Sequence, residues 1–148
     1  EAWPHIARRH PDAHLVLAGP FDPKYPPPQG ERVHYLGMLP HARTAELFNA
    51  LDVGVIYLRD TVFGRYCFPQ KAYEMMACGL PLVSAAVGVM PGLLIDASQG
   101  LYEADDPAGL QAAVDAQFTN PAVAHVDIAD WKALIRKMEL RLQSLVSD

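Results

Sequence analysis

Pro69, Lys71 and Glu74 stand at the head of the segment FPQKAYEMMACGLPLVSAAVG, residues 68–88, just before a run of apolar residues. The spacing predicts a helix that opens at Pro69, because proline's missing donor costs nothing in a first turn. A helix N-terminus offers unpaired N–H groups, here around Phe68, Pro69, Gln70 and Lys71, and its positive end favours an anion such as phosphate. Lys71 adds a full positive charge to that end. Glu74, one turn in, can accept two hydrogen bonds at once from a vicinal diol such as a ribose. The segment reads as an anion cradle with a hydroxyl reader beside it. A plainer reading competes with this one. Lys71 can simply pair with Glu74 one turn away, a surface contact of about 0.3–0.5 kcal/mol. Glu74 would then be an ordinary solvated residue, although Met75, Met76, Ala77 and Leu80 around it are apolar and a carboxylate in such company needs a partner.

Other chemistries fail on the letters. No G-x-G-x-x-G, no G-x-x-x-x-G-K-[ST] and no G-x-S-x-G is present. His5, His10, His14, His34, His41 and His125 form no H-E-x-x-H or H-x-E pattern, so each reads as a surface or helix-end residue. Asp105 and Asp106 precede Pro107, where carboxylates satisfy the free donors of a helix start. Cys67 and Cys78 make neither a disulfide framework nor a metal-ligand spacing, which fits a reducing cytoplasm. Seventeen acidic residues against twelve basic ones give a formal charge of −5, which argues against nucleic acid as a partner. The apolar stretch from Ala72 to Ile95 is broken by Glu74, Gly79, Pro81, Gly88, Pro91 and Gly92, so no membrane span is expected.

The elements that must position these residues alternate between strand and helix. At 148 residues and 51% hydrophobic composition, the chain has one domain's worth of core-forming material. Residues 2–9 read as a helix that stops before Pro11. AHLVLAG (13–19), VHYLG (33–37), VGVIYL (53–58), LPLVSA (80–85) and GLYEA (100–104) read as short strands. Between the first two lies PFDPKYPPPQGE, whose prolines at 20, 23, 26, 27 and 28 exclude sheet and helix. Residues 41–51 carry a helical spacing, 59–68 read as a loop, and Gly79 reads as the left-handed cap that closes the Pro69 helix. Asp106 caps a helix that runs to about Phe118. The segment 127–147 closes the domain as a helix, with Trp131, Leu134, Ile135, Met138, Leu142 and Leu145 forming one packing stripe. Lys132, Arg136, Lys137 and Arg141 lie elsewhere on it, a pattern open either to solvent or to an anionic membrane surface. Strands joined by helices imply parallel pairing, hence an α/β, doubly wound, Rossmann-like sheet.

These blocks, in this order, resemble the glycosyltransferases of GT-B fold in the large retaining group often called family 4. FPQKAYEMMACGLPLV is similar to that family's P-x-K-x-x-E-Y-M-A-x-G-x-P-V segment. HPDAHLVLAGP, VHYLGMLPHARTAELFNALDVGVIYL and DPAGLQAAV resemble its other blocks, so nearly the whole chain is covered. The resemblance implies the donor-binding half of an enzyme that moves a sugar from a nucleotide diphosphate sugar to a hydroxyl acceptor, with retention and without a metal. By resemblance, Glu74 binds the ribose hydroxyls and the turn at Pro69 receives the diphosphate. Met38-Leu39-Pro40 would meet the base, and Gly19-Pro20 would close the nucleotide side. Tyr66 occupies the place of the first glutamate in members that carry E-x7-E, so a sugar-side carboxylate is absent there. The family's opening strand, with a Gly-Arg pair and a following lysine, and its N-terminal acceptor domain have no counterpart in this sequence. A strand order of 3-2-1-4-5-6 then leaves a gap between strands 13–19 and 53–58. A sugar-nucleotide epimerase on the same fold and a non-catalytic α/β interaction module remain the alternatives. The expected location is the cytoplasm, with the inner face of the membrane open through the last helix.

Overall fold

Arg32 ties the first helix to the first strand pair, and it does so through the backbone. The computed structural model describes residues 2–127 and 129–146. Helix α1 (Trp3–Arg9) ends before Pro11, and the Arg32 guanidinium donates to the carbonyls of Ala7, His10, Pro11 and Ala13 beyond and within its last turn. Strands β1 (Leu15–Leu17) and β2 (Val33–Tyr35) follow, paired in parallel with Leu15 opposite Val33 and Leu17 opposite Tyr35. The proline segment between them forms neither helix nor strand. A 3-10 turn (His41–Arg43) runs into α2 (Thr44–Asn49), which leads to β3 (Gly54–Ile56).

Residues 59–68 were expected to be a loop, and they contain a short helix, α3 (Val62–Tyr66). Thr61 caps it by accepting from the Gly64 N–H at 3.2 Å, and Asp60 holds Arg65 at 2.5 and 2.9 Å. Five residues with a glycine inside carry too little periodicity to announce a helix; the side-chain clasp makes it. Next come α4 (Gln70–Ala77), β4 (Leu82–Ala85), α5 (Met90–Leu93), a 3-10 segment (Ile95–Gly100) and β5 (Leu101–Tyr102). Gly79 has φ +70°, and Leu80 N–H bonds the Met75 carbonyl at 3.1 Å, the left-handed closure expected of it. Asp106 caps α6 (Pro107–Thr119) by accepting from the Ala108 N–H at 3.0 Å.

The second sheet has the order β3-β4-β5, all parallel, with Gly54 opposite Leu82 and Ser84 opposite Leu101. Its central strand β4 is buried at all four residues. Val83 and Ala85 pack with Ile6, Tyr102, Ala113 and Val114 on one face, under α1 and α6. Leu82 packs with Ala72, Met76, Met90 and Leu94 on the other, under α4 and α5. Helices on both faces of a parallel sheet make the expected doubly wound α/β architecture. The strands are shorter than their apolar runs, because each ladder spans only what both partners share. β1 and β3 share no ladder among the described residues; the sheet is in two pieces where a gap was expected.

The last helix departs from expectation. It begins at Trp131 rather than near 127; Ile128 and Ser147, which fall in the expected range, lie outside the described residues. The stripe expected to pack is uncovered: Trp131 is 72% exposed, Met138 59% and Leu145 67%. α7 (Trp131–Val146) therefore has the amphipathic pattern of a packed helix without a surface to pack on. No helix among the described residues is long and apolar enough to cross a membrane.

Candidate functional site

The start of α4 is set by a turn at Pro69 rather than by a proline inside the first turn. Pro69 is the cap residue, with φ −83° and ψ 64°, and the Gln70 N–H folds back onto the Phe68 carbonyl at 2.9 Å. This is the geometry of an inverse γ-turn. Of the N–H groups expected around Phe68 to Lys71, that of Gln70 is engaged in this turn and Pro69 has none. The first turn also presents side chains. Gln70 Nε2 donates to Glu74 Oε1 and Lys71 Nζ donates to Glu74 Oε2, both at 2.7 Å. The plainer reading of Lys71 is thus present in the structure, as an ion pair reinforced by Gln70.

Glu74 keeps a quarter of its side-chain surface in water. Burial pushes its carboxyl up, but hydrogen bonds from Lys71 and Gln70, with the electrostatic influence of Lys71 and His41, outweigh this and hold it below the usual glutamate value. His41, which the sequence offered only as a surface residue, therefore faces the same carboxylate. It arrives there because α2, which follows it, packs against α4. Leu39, half-buried, and Pro40 immediately precede His41 in the chain. Phe68 is 67% exposed and stacks on Tyr73, with centroids 5.0 Å apart and planes 14° from parallel.

The other expected residues lie along the carboxyl ends of the strands, where open α/β sheets bind ligands. Gly19, past the end of β1, donates its N–H to the Gly37 carbonyl at 2.8 Å and accepts from the Tyr35 hydroxyl at 2.5 Å. Tyr66 is 85% exposed at the end of α3 and packs on no core cluster among the described residues. Neither Gly19 nor Tyr66 is hydrogen-bonded to the Glu74 group among the described residues. The α3 loop is seated on the turn after β4. A Cβ on Gly64 would fall 2.0 Å from the Arg59 carbonyl oxygen, and one on Gly88 2.8 Å from that of Arg65. Further along the same edge, the Tyr57 hydroxyl donates to Asp105 Oδ1 at 3.0 Å. The Tyr102 hydroxyl is buried with no hydrogen-bond partner among the described residues, and burial, then Tyr57 and Asp105, pushes it up to about 12.

The profile of the family described as "Glycosyl transferases group 1" matches residues 1–120. The chain belongs to that family. A phosphatidylinositol N-acetylglucosaminyltransferase component of Arabidopsis thaliana is 26% identical to this group 1 chain over 156 residues, covering 95% of this chain and 33% of that protein. D-inositol 3-phosphate glycosyltransferase 1 of Catenulispora acidiphila is 33% identical over 94 residues, covering 63% of this chain and 21% of that protein. The group 1 chain thus spans a third or less of the curated relatives that it matches. Sucrose-phosphate synthase of Thermosynechococcus elongatus superposes with a TM-score of 0.74 at 22% identity, covering 99% of this chain and 42% of that one. That match shows the expected GT-B half-fold. Within it, the Gln70–Lys71–Glu74 group occupies the start of α4, after β3 and α3 in the chain.

Sequence reasoning missed three residues at this candidate site of the group 1 chain: His41, Asp60 and Arg65. His41 carried a weak signal, its place directly after the Leu39-Pro40 pair. The Asp60–Arg65 clasp, which shapes the loop that carries Tyr66 and Phe68, carried none beyond two opposite charges five residues apart.

Proposed function

We propose that the whole protein transfers a sugar from a nucleotide diphosphate sugar to a hydroxyl acceptor, and that this chain holds the donor's nucleotide. One observation carries the reading: a carboxylate kept ionised by Lys71 and Gln70 at the head of α4, in a member of a glycosyl transferase family. An ionised carboxylate offers about four acceptor sites, and Lys71 and Gln70 use two of them. Glu74 retains the capacity to chelate a vicinal diol without releasing either partner. Gln70, Lys71 and the turn at Phe68 and Pro69 then flank the diphosphate, where positive charge lowers the cost of expelling it. The Met38-Leu39-Pro40 backbone and His41 would border the base and ribose, Gly19 would line the nucleotide side, and Tyr66 would lie near the sugar without a carboxylate to offer. The reaction in this reading retains configuration and needs no metal, and an acceptor-binding domain outside this chain supplies the second substrate. The proposed location is the cytoplasm. Contact with the inner membrane face is supported by the exposed apolar stripe and basic residues of α7, and co-sedimentation with anionic vesicles measures it.

Calorimetry of the full-length protein with UDP, GDP and ADP tests the nucleotide half, and mass spectrometry of products from the sugar nucleotide that binds tests the reaction. Micromolar binding of one nucleotide and a glycosylated product are expected. An epimerised sugar nucleotide would instead indicate the epimerase, and no binding at millimolar nucleotide the interaction module.

A further inference from the structure

His14 lies one residue before β1, and His34 is the middle residue of β2. Val16 pairs with His34 in the parallel register, so His14, two residues earlier on the same face, is its diagonal neighbour. The two rings stack with centroids 5.0 Å apart and planes 28° from parallel, and His14 Nδ1 lies 2.8 Å from His34 Nε2. One of these nitrogens donates and the other accepts, so both rings aim a nitrogen at the same small region. His14 and His34 are both exposed, which leaves that region open to water. The backbone beneath is held: Arg32 anchors the turn before His14 through four carbonyls, and Leu15 N–H bonds the Arg32 carbonyl at 2.9 Å. Two imidazoles converge, and their strands are fixed.

We propose that His14 and His34 form a two-imidazole site for a borderline transition-metal cation: Zn2+, Ni2+ or Cu2+. Neutral imidazole is a preferred ligand of these ions and not of Mg2+ or Ca2+. Metal–nitrogen bonds of about 2.0–2.1 Å place two neighbouring ligand nitrogens roughly 3.0–3.4 Å apart. The observed pair reaches that separation by opening a few tenths of an ångström. The ring that now donates moves its proton to its other nitrogen, and two coordinate bonds replace one hydrogen bond with no net change in protons. No group of three or more His, Cys, Asp or Glu residues forms among the described residues, so water completes the coordination shell. The site lies toward the amino end of β1, whereas the proposed nucleotide groups line the carboxyl ends, so it stands apart from sugar transfer. Its direct effect is to cross-link the two strands of the smaller sheet.

The test uses untagged full-length protein in chelator-free buffer, titrated calorimetrically with ZnCl2, NiCl2, CuCl2 and MgCl2 and then melted with and without each metal. One equivalent of each transition metal is expected to bind, Cu2+ more tightly than Ni2+ or Zn2+, with no Mg2+ uptake at this site. His14→Gln and His34→Gln should each weaken binding by about tenfold or more and abolish the metal-induced rise in Tm; His125→Gln should change neither. Electron paramagnetic resonance of the Cu2+ form should show two coupled imidazole nitrogens, a readout that needs no variant. Binding that survives both substitutions, a Cu2+ spectrum with fewer than two nitrogens, or no binding of any of the three metals at millimolar concentration would each overturn the proposal.

Discussion

Glu74 has both carboxylate oxygens engaged before any ligand arrives, so its value to a nucleotide depends on the acceptor sites that remain. Replacing it by glutamine keeps the shape but removes the charge and turns one acceptor into a donor. Glu74→Gln in the full-length protein is expected to weaken nucleotide binding by about 1–3 kcal/mol, the scale of a hydrogen bond to a charged acceptor. Its Tm should barely move, because the pair with Lys71 sits at the surface. A large drop in Tm with unchanged donor affinity would make Glu74 structural. The carboxyl is held below its unfolded value, so its small stabilising effect is full above that value and fades as pH falls through the folded one. Tyr102 behaves in the opposite sense. Its hydroxyl is pushed from 10.0 up to about 12, so the stability tied to its neutral form is full below about 10 and lost between there and about 12. Tyr102→Phe should therefore cost no stability near neutral pH, since that hydroxyl has no hydrogen-bond partner among the described residues, and should flatten the alkaline loss. Urea midpoints across that range measure both effects; a destabilised variant near neutrality would reveal a partner for the hydroxyl.

Among the elements, α6 and α3 make a useful contrast. Asp106→Ala removes the side-chain acceptor at the head of α6 and should cost about 0.5–2 kcal/mol by denaturant unfolding. Gly64→Ala strikes differently: its methyl meets the Arg59 carbonyl at 2.0 Å, so the loop must move rather than a side chain. That loop carries Tyr66 and Phe68, and nucleotide affinity is expected to fall along with Tm. Unchanged affinity would uncouple α3 from the site. The α6 start was legible because its cap, Asp106-Pro107, is written in adjacent residues. The α3 helix was illegible because Thr61, Asp60 and Arg65 make it through side chains, not through periodicity. The same division runs through the candidate site. Lys71 and Glu74 could be paired by helical spacing alone, whereas His41 reaches Glu74 from 33 positions away, through packing of α2 on α4. For α7, spacing told which residues share a face; nothing in it could tell whether a surface lies opposite.

At the scale of the molecule, the sheet divides between β1-β2 and β3-β4-β5, and the apolar stripe of α7 meets water. Unpaired inner strand edges and an uncovered stripe are both invitations to association. Residues 1–148 expressed alone are expected to self-associate or melt without a sharp transition, as read by light scattering and calorimetry. A monodisperse monomer with a cooperative transition would show that the two pieces of sheet sustain each other. The doubly wound class was legible because β4 is apolar but for Ser84 and is buried at every residue. The extent of each ladder was not, since it depends on partners that no single run of residues describes.

One buried side chain has a consequence in exchange kinetics. Gln117 is fully enclosed; it donates to the Leu82 carbonyl at 2.8 Å and accepts from the Ala122 N–H at 2.8 Å. The Ala122 amide belongs to no helix or strand, yet its hydrogen bond ends on a group that water reaches only when α6 leaves β4. In deuterated solvent it should therefore exchange on the slow timescale of global opening, alongside the amides of β4. A stretch that looks like linker would then be among the last places to take up deuterium.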